Sequence, residues 1–246
     1  MDRMIYLAMT GARETMLAQA GVSHNLANAN TTGFKASLQH AQTMDVTGPG
    51  HPARAYSLGL DRLADLSAGA LQTTGRELDV ALEGEGWIAV QAPDGGEAYS
   101  RAGDLRVDPL GRLTNGAGHP VMGEGGPIAL PPHEKVEIGR DGTVTIQPLG
   151  QPANALAVVE RIRLVNPDPA TLRRGEDGLV RAEPGMLPPA DAGVRLRTGV
   201  LETSNVNTVA ALVDMIQLSR QFEVQVKMMS AAEDADRASA QLLRIS

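Results

Sequence analysis

The sequence predicts an α+β chain in which N- and C-terminal helices pair into a coiled-coil-like core and a β-rich domain is inserted between them. Three observations predict it. The first thirty residues carry a helical seam, the last forty carry another, and the stretch between them alternates apolar and polar residues in short runs broken by Gly, Pro, Asn and Asp.

The N-terminal seam runs through Ile5, Met9, Ala12, Met16, Gln19, Ser23 and Leu26. These positions alternate spacings of four and three, and five of the seven are apolar, which is the pattern of a helix that pairs along one stripe. Asp2 places a carboxylate near the helix start, where the dipole favours it. From Thr203 to the end the chain has neither Gly nor Pro. Leu212, Met215, Ser219, Phe222, Val226, Met229 and Glu233 repeat the same spacing, again with five apolar residues of seven. Ser204 and Asn205 are candidate caps for this helix. About 40 helical residues would span about 60 Å, far beyond an ordinary core helix, so two seamed ends point to a paired rod or an assembly surface.

The middle reads as strands: "LDVAL", "WIAVQ", "LRVD", "VEIG", "TVTIQ", "LAVVERIRLV" and "VRLR". Asp94-Gly95-Gly96, Asn115-Gly116 and Asp141-Gly142 supply turns, the last inside a plain hairpin, "VEIGRDGTVTI". Residues 36–74, with the cluster "TGPGHPA", are less regular. The predicted organisation is a discontinuous helical domain of 1–35 plus 198–246, an extended connector over 36–74 and a β-rich outer domain over 75–197.

Composition narrows the function. The net charge is −7 and no basic stripe appears, which disfavours nucleic acid as a partner. There is no Cys, so thiolate catalysis, disulfides and cysteine-ligated zinc are excluded. Aromatics make up 2%, so packing leans on Ala, Val, Leu and Met. The first residues hold no apolar run fit for a cleavable signal, and no stretch approaches a membrane span.

Candidate chemical sites weaken in turn. "GEGWIA" (Gly84 to Ala89) fits a dinucleotide fingerprint, yet alternating strand residues follow it instead of a helix. Residues 55–59 only loosely resemble a nucleophile elbow. His24, His40, His51, His119 and His133 never fall at helical ligand spacing. Glu83/Glu85 and Glu233/Asp234/Asp236 read as a turn and a solvated helix face. Asn30-Thr31-Thr32 fits a glycosylation sequon without a secretory signal to support it. No catalytic residue, cofactor, metal or small-molecule substrate is expected.

One polar knot remains, "NLANANTTGFK" at residues 25–35. Asn and Gly end a helix well, because they tolerate left-handed backbone and short side chains bond nearby peptide groups. Gly33 allows a sharp turn, and Phe34, one of two Phe, can anchor it by burial. The knot therefore sets how the chain leaves the helix.

Together these segments resemble the flagellar axial protein family of rods and hooks. "NLANANTTGFK" matches its N-terminal signature and "GVLETSNVNTVAALVDMIQLSRQFE" (Gly199 to Glu223) its C-terminal one, while residues 78–131 look like its shared β domain. "MDRMIYLAMTGA" and "GEGGPIALP" are most similar to the proximal-rod branch. The chain has His24-Asn25 where many relatives have an Asn pair. The resemblance implies a structural subunit that leaves the cytoplasm through the flagellar type III export apparatus and polymerises with other rod subunits, and with itself, into the periplasmic rod of the basal body. Its implied assembly residues are Ile5, Met9, Ala12, Met16, Asn25, Leu26, Asn28, Gly33, Phe34, Leu212, Met215, Phe222, Val226 and Met229. The alternatives are a distal-rod or hook member of the family, or a secreted β-rich adhesin with a helical tail.

Overall fold

The computed structural model describes residues 2–45, 55–152, 155–175, 177–183 and 185–245, with the side chains of 2–4, 39–45, 55–64, 239 and 242–245 left undescribed. The Gly/Pro cluster of residues 47–53, with His51, lies outside the described residues. The chain opens with helix α1 (Asp2–Ala27) and closes with helix α2 (Thr208–Ile245). In between come β1 (Ser37–Asp45), β2 (Ala55–Ala64), β3 (Leu71–Thr73), β4 (Val80–Glu83), β5 (Trp87–Gln91) and β6 (Glu97–Ser100). They are followed by β7 (Arg106–Val107), β8 (Leu113–Thr114), β9 (His133–Ile138), β10 (Thr143–Pro148), β11 (Ala157–Arg161) and β12 (Leu164–Val165). β13 (Leu172–Arg174), β14 (Val180–Ala182), β15 (Arg195–Thr198) and β16 (Val200–Glu202) complete the set. Terminal helices in contact, with sheets between them in sequence, make the fold α+β, as the sequence predicts.

Two compact units result. The first gathers Met1–Asn28, Ser37–Leu63 and Val206–Ser246, and the second gathers Ala29–Ala36 and Ala64–Asn205. In the first, α1 packs on α2, and β1 pairs with β2 as a two-stranded sheet within the segment anticipated as a connector.

The second unit is built on a five-stranded antiparallel sheet of order β12-β5-β6-β14-β13 and a three-stranded one of order β11-β10-β9. Alternation explains their core. In β10 Val144 and Ile146 are buried, and in β9 Val136 and Ile138 oppose them with Val144↔Ile138 and Ile146↔Val136 in register. The turn between the two is Asp141-Gly142, where Gly142 takes φ 85°. A large core joins these residues to Val80, Ile88, Leu105, Leu113, Val121 and Leu196, and a smaller one gathers Trp87, Tyr99, Val165 and Val180. The long apolar run "LAVVERIRLV" splits into β11 and β12, because Ile162 turns into the main core and Arg163 bonds the Pro188 carbonyl. Two short pairs, β3–β16 and β4–β15, carry the chain into and out of the unit.

Candidate functional site

The helix pair is seamed by buried small residues interleaved with larger, half-buried ones. On α1 Ala8, Ala12 and Thr15 are buried, and the half-buried positions 5, 19, 22 and 26 continue their three-four spacing. On α2 covered positions recur at 211, 215, 218, 222, 225, 229, 232 and 236, with Ala211 and Ala232 buried and Met215, Phe222 and Met229 half-buried. The spacing alternates three and four as expected, but every second position sits one residue earlier than the apolar pattern indicates. Ile5, Ala12, Leu26, Met215, Phe222 and Met229 therefore lie on the seam, whereas Met9, Met16, Leu212 and Val226 are 51%, 57%, 49% and 42% exposed. Small side chains allow a close approach: a Cβ on Gly11 would lie 2.9 Å from the Gln225 amide nitrogen.

The bulky residues form a second stripe. Val209, Leu212, Val213 and Ile216, at i, i+3, i+4 and i+7, share one exposed face of α2, and Tyr6, Met9, Met16 and Leu17 do the same on α1. The helix start also departs from expectation. α2 is capped by Asn207, whose Oδ1 accepts the N–H groups of Val209 and Ala210, both at 3.1 Å.

The knot divides its residues between two tasks. At the end of α1, Asn28 donates its side-chain N–H to the His24 carbonyl at 2.9 Å, closing the last turn. Asn25 grips Ser37 with both ends of its amide: Oδ1 accepts the Ser37 N–H at 2.8 Å and Nδ2 donates to the Ser37 carbonyl at 2.9 Å.

Residues 29–36 then form a strap of the second unit. Gly33 takes φ 65°, and its N–H bonds the Glu202 carbonyl at 2.8 Å. A Cβ there would fall within 3.0 Å of the Arg101 and Ala102 backbone, so only glycine fits both the conformation and the space. Phe34 is buried with the Arg174 guanidinium 4.4 Å above its ring. Arg174 also donates to the Lys35 carbonyl.

Beneath the strap lie three buried charges that apolar periodicity did not single out. Lys35 Nζ donates to Glu202 Oε1 and to the Ser67 carbonyl, each at 2.6 Å. Glu202 Oε1 also accepts the Gly69 N–H at 2.9 Å, and Oε2 faces Arg101 Nη1 at 3.1 Å. Arg101 donates further to the carbonyls of Gly86 and Gly84, at 3.0 and 2.9 Å, and stacks on Trp87. The glycines of "GEGWIA" thus serve as turn and acceptor. Burial pushes the Glu202 carboxyl up, but the Lys35 and Gly69 hydrogen bonds and the neighbouring cations outweigh it and hold the group below the ordinary carboxylate value. Lys35 follows "TTGF" and Glu202 ends the strand "VLE", and neither setting marks its charge as buried.

Asn205, expected as a cap, is used elsewhere. Its Oδ1 accepts the Ala36 N–H at 2.7 Å and its Nδ2 donates to the Asp65 carbonyl at 2.9 Å. Every piece of this arrangement positions backbone. Among the described residues no group of His, Asp and Glu could hold a metal ion, and no helix is long and apolar enough to cross a membrane.

The two segments that meet at the strap also carry the likeness to known proteins. A family model described as flagella basal body rod protein matches residues 5–35, and one described as flagellar basal body rod FlgEFG protein C-terminal matches residues 197–242. Between them, residues 81–146 match the flagellar hook protein FlgE/F/G D1 domain. Over 252 aligned residues the chain is 44% identical to flagellar basal-body rod protein FlgF of Escherichia coli (strain K12), covering 100% of both. The chain belongs to the FlgF family of flagellar basal-body rod proteins. The Salmonella typhimurium FlgF is 42% identical over the same span. A FlgG of Buchnera aphidicola is 32% identical over 266 residues, with 97% of this chain and 98% of that one covered. FlgF-family membership makes the chain a structural component of the flagellar basal-body rod and not an enzyme.

Proposed function

We propose that this rod subunit is a substrate of the flagellar type III export apparatus and polymerises with copies of itself and with other rod subunits, its terminal helices forming the contact surface. One observation carries the proposal: each helix presents two apolar stripes, and the helix pair covers only one of them. The seam residues Ile5, Ala12, Leu26, Met215, Phe222 and Met229 hold the pair together. Met9, Met16, Leu212 and Val226, with their exposed neighbours, face adjacent subunits. Asn25, Asn28, Gly33 and Phe34 act indirectly, by fixing how the chain leaves the helix.

Ile216→Asp tests it, because Ile216 is 56% exposed and off the seam. The substitution removes about 1.5–3 kcal/mol of side-chain burial per contact and sets a carboxylate against apolar surface. The purified variant should keep the helix content and thermal midpoint of the parent. Basal bodies isolated from cells carrying it should lack the protein, while export into the medium or periplasm continues. Incorporation at the parental level would overturn the assignment of this stripe.

A further inference from the structure

Lys35, Arg101 and Glu202 are each at least 95% buried, and they come from three distant parts of the second unit. Burying such a cluster is a poor way to gain stability, since apolar residues of similar volume do as well or better. What charges add is intolerance of the wrong neighbour. Along the strap, one bond is internal, from Phe34 N–H to the Thr31 carbonyl at 3.3 Å, and other segments supply further holds on residues 33–36. Glu202 O accepts from Gly33, Arg174 donates to Lys35 O, Asn205 Oδ1 accepts from Ala36, and Asp65 N–H donates to Ala36 O at 2.8 Å. Among the described residues no regular strand ladder runs along this strap, so side chains share the task of fixing its register with these few backbone bonds.

A slip of one residue shows what the charges do. It would bring Phe34 or Ala36 to the place of Lys35, leaving the Ser67 carbonyl and one Glu202 oxygen without their ammonium donor. In the slip that brings Ala36 there, Lys35 would in turn move toward the Arg174 guanidinium that now covers Phe34. Both consequences strand buried charge.

We propose that Lys35, Glu202 and Arg101 form a register lock: a device that admits the strap 29–36 to the β unit in a single register, and only after β16 and the residues that follow it have delivered Glu202 and Asn205. Strap docking is then the last step in folding this unit. Arg101 is the fixed member, tied to Gly84 and Gly86 and stacked on Trp87, and it orients the Glu202 carboxylate that Lys35 has to find.

The test uses the full-length purified chain and amide hydrogen exchange resolved by residue. The double variant K35M/E202M removes one cation and one anion, so the net buried charge is unchanged and Arg101 keeps its two carbonyl partners. The expected result is a split. Amides of β5, such as Ala89, should exchange as in the parent, while those of Gly33 and Ala36 should exchange at least about tenfold faster. Pulsed exchange during refolding of the parent should show Gly33 and Ala36 becoming protected after Ala89. Strap amides as slow in the double variant as in the parent would overturn the lock. So would a double variant that does not fold, which would show that the pair serves stability and not register. Strap protection appearing with or before that of Ala89 would overturn the order of closure.

Discussion

Gly33→Ala separates two costs that glycine hides. The first is conformational: φ 65° is left-handed, and a side chain there costs about 1–2 kcal/mol. The second is steric, because the new methyl would lie within 3.0 Å of three backbone atoms, Arg101 C and O and Ala102 N. Backbone cannot rotate aside as a side chain can, so the strap would lift. Lifting it gives up the Gly33 N–H bond to Glu202 and part of the Phe34 burial, which adds about 2–3 kcal/mol. Gly75 provides the control, since it has φ 73° and no atom within 4 Å of an added Cβ. Gly75→Ala should therefore cost the conformational share alone, about 1–2 kcal/mol, and Gly33→Ala at least twice that. Urea titration of both purified variants, followed by fluorescence of Trp87 in the β unit, measures the pair. Equal losses would show that the close approach at residue 33 relaxes freely, and the account of the strap as tightly seated would fail.

Two further outcomes follow from the same contacts. Glu202 is held below its ordinary value of 4.5, so as pH falls through that value the unfolded chain takes up a proton that the folded chain refuses, and stability declines. Urea midpoints measured between about pH 5.5 and 3 should fall more steeply for the parent than for K35M/E202M, by up to one proton or about 1.4 kcal/mol per pH unit; parallel curves would refute the assignment. Asn207→Ala removes the acceptor for Val209 and Ala210 and should cost α2 about 1 kcal/mol, seen as faster exchange of those two amides, and unchanged exchange would refute the cap.

The β unit was legible where period and turn chemistry agreed. "WIAVQ" is β5 to the residue, and the Asp141-Gly142 hairpin forms as its sequence indicates. The seam was legible in period but not in phase. Apolar residues adjacent in sequence, Ala8 and Met9, Ala211 and Leu212, satisfy the same three-four alternation, and hydrophobicity favours the larger of each pair. Packing chose the smaller, because an alanine on the contact line lets two helices approach closely while a methionine beside it can face outward. The buried charges were illegible for another reason. Lys35 and Glu202 are separated by 167 residues, and nothing local marks a lysine as one that will lose its water.

The phase of the seam carries a consequence for assembly. A two-helix pair that buried its largest apolar side chains would be self-sufficient and would offer little to a neighbour. Here Met215, Phe222 and Met229 reach the seam only half-buried, and its buried positions are small. Ala8, Ala12, Ala211 and Ala232 occupy the internal seam, and each alanine buries far less apolar area than a methionine or isoleucine would. Val209, Leu212, Val213 and Ile216 stay outside, where water makes them costly until another surface covers them. A helix pair built this way leaves much of its bulky apolar surface uncovered. On the proposed assembly the outer stripe belongs to neighbouring subunits, so a substitution on the seam and one on the outer stripe should fail differently. Phe222→Asp would open the pair within one chain, whereas Ile216→Asp would leave the pair closed and the subunit without neighbours.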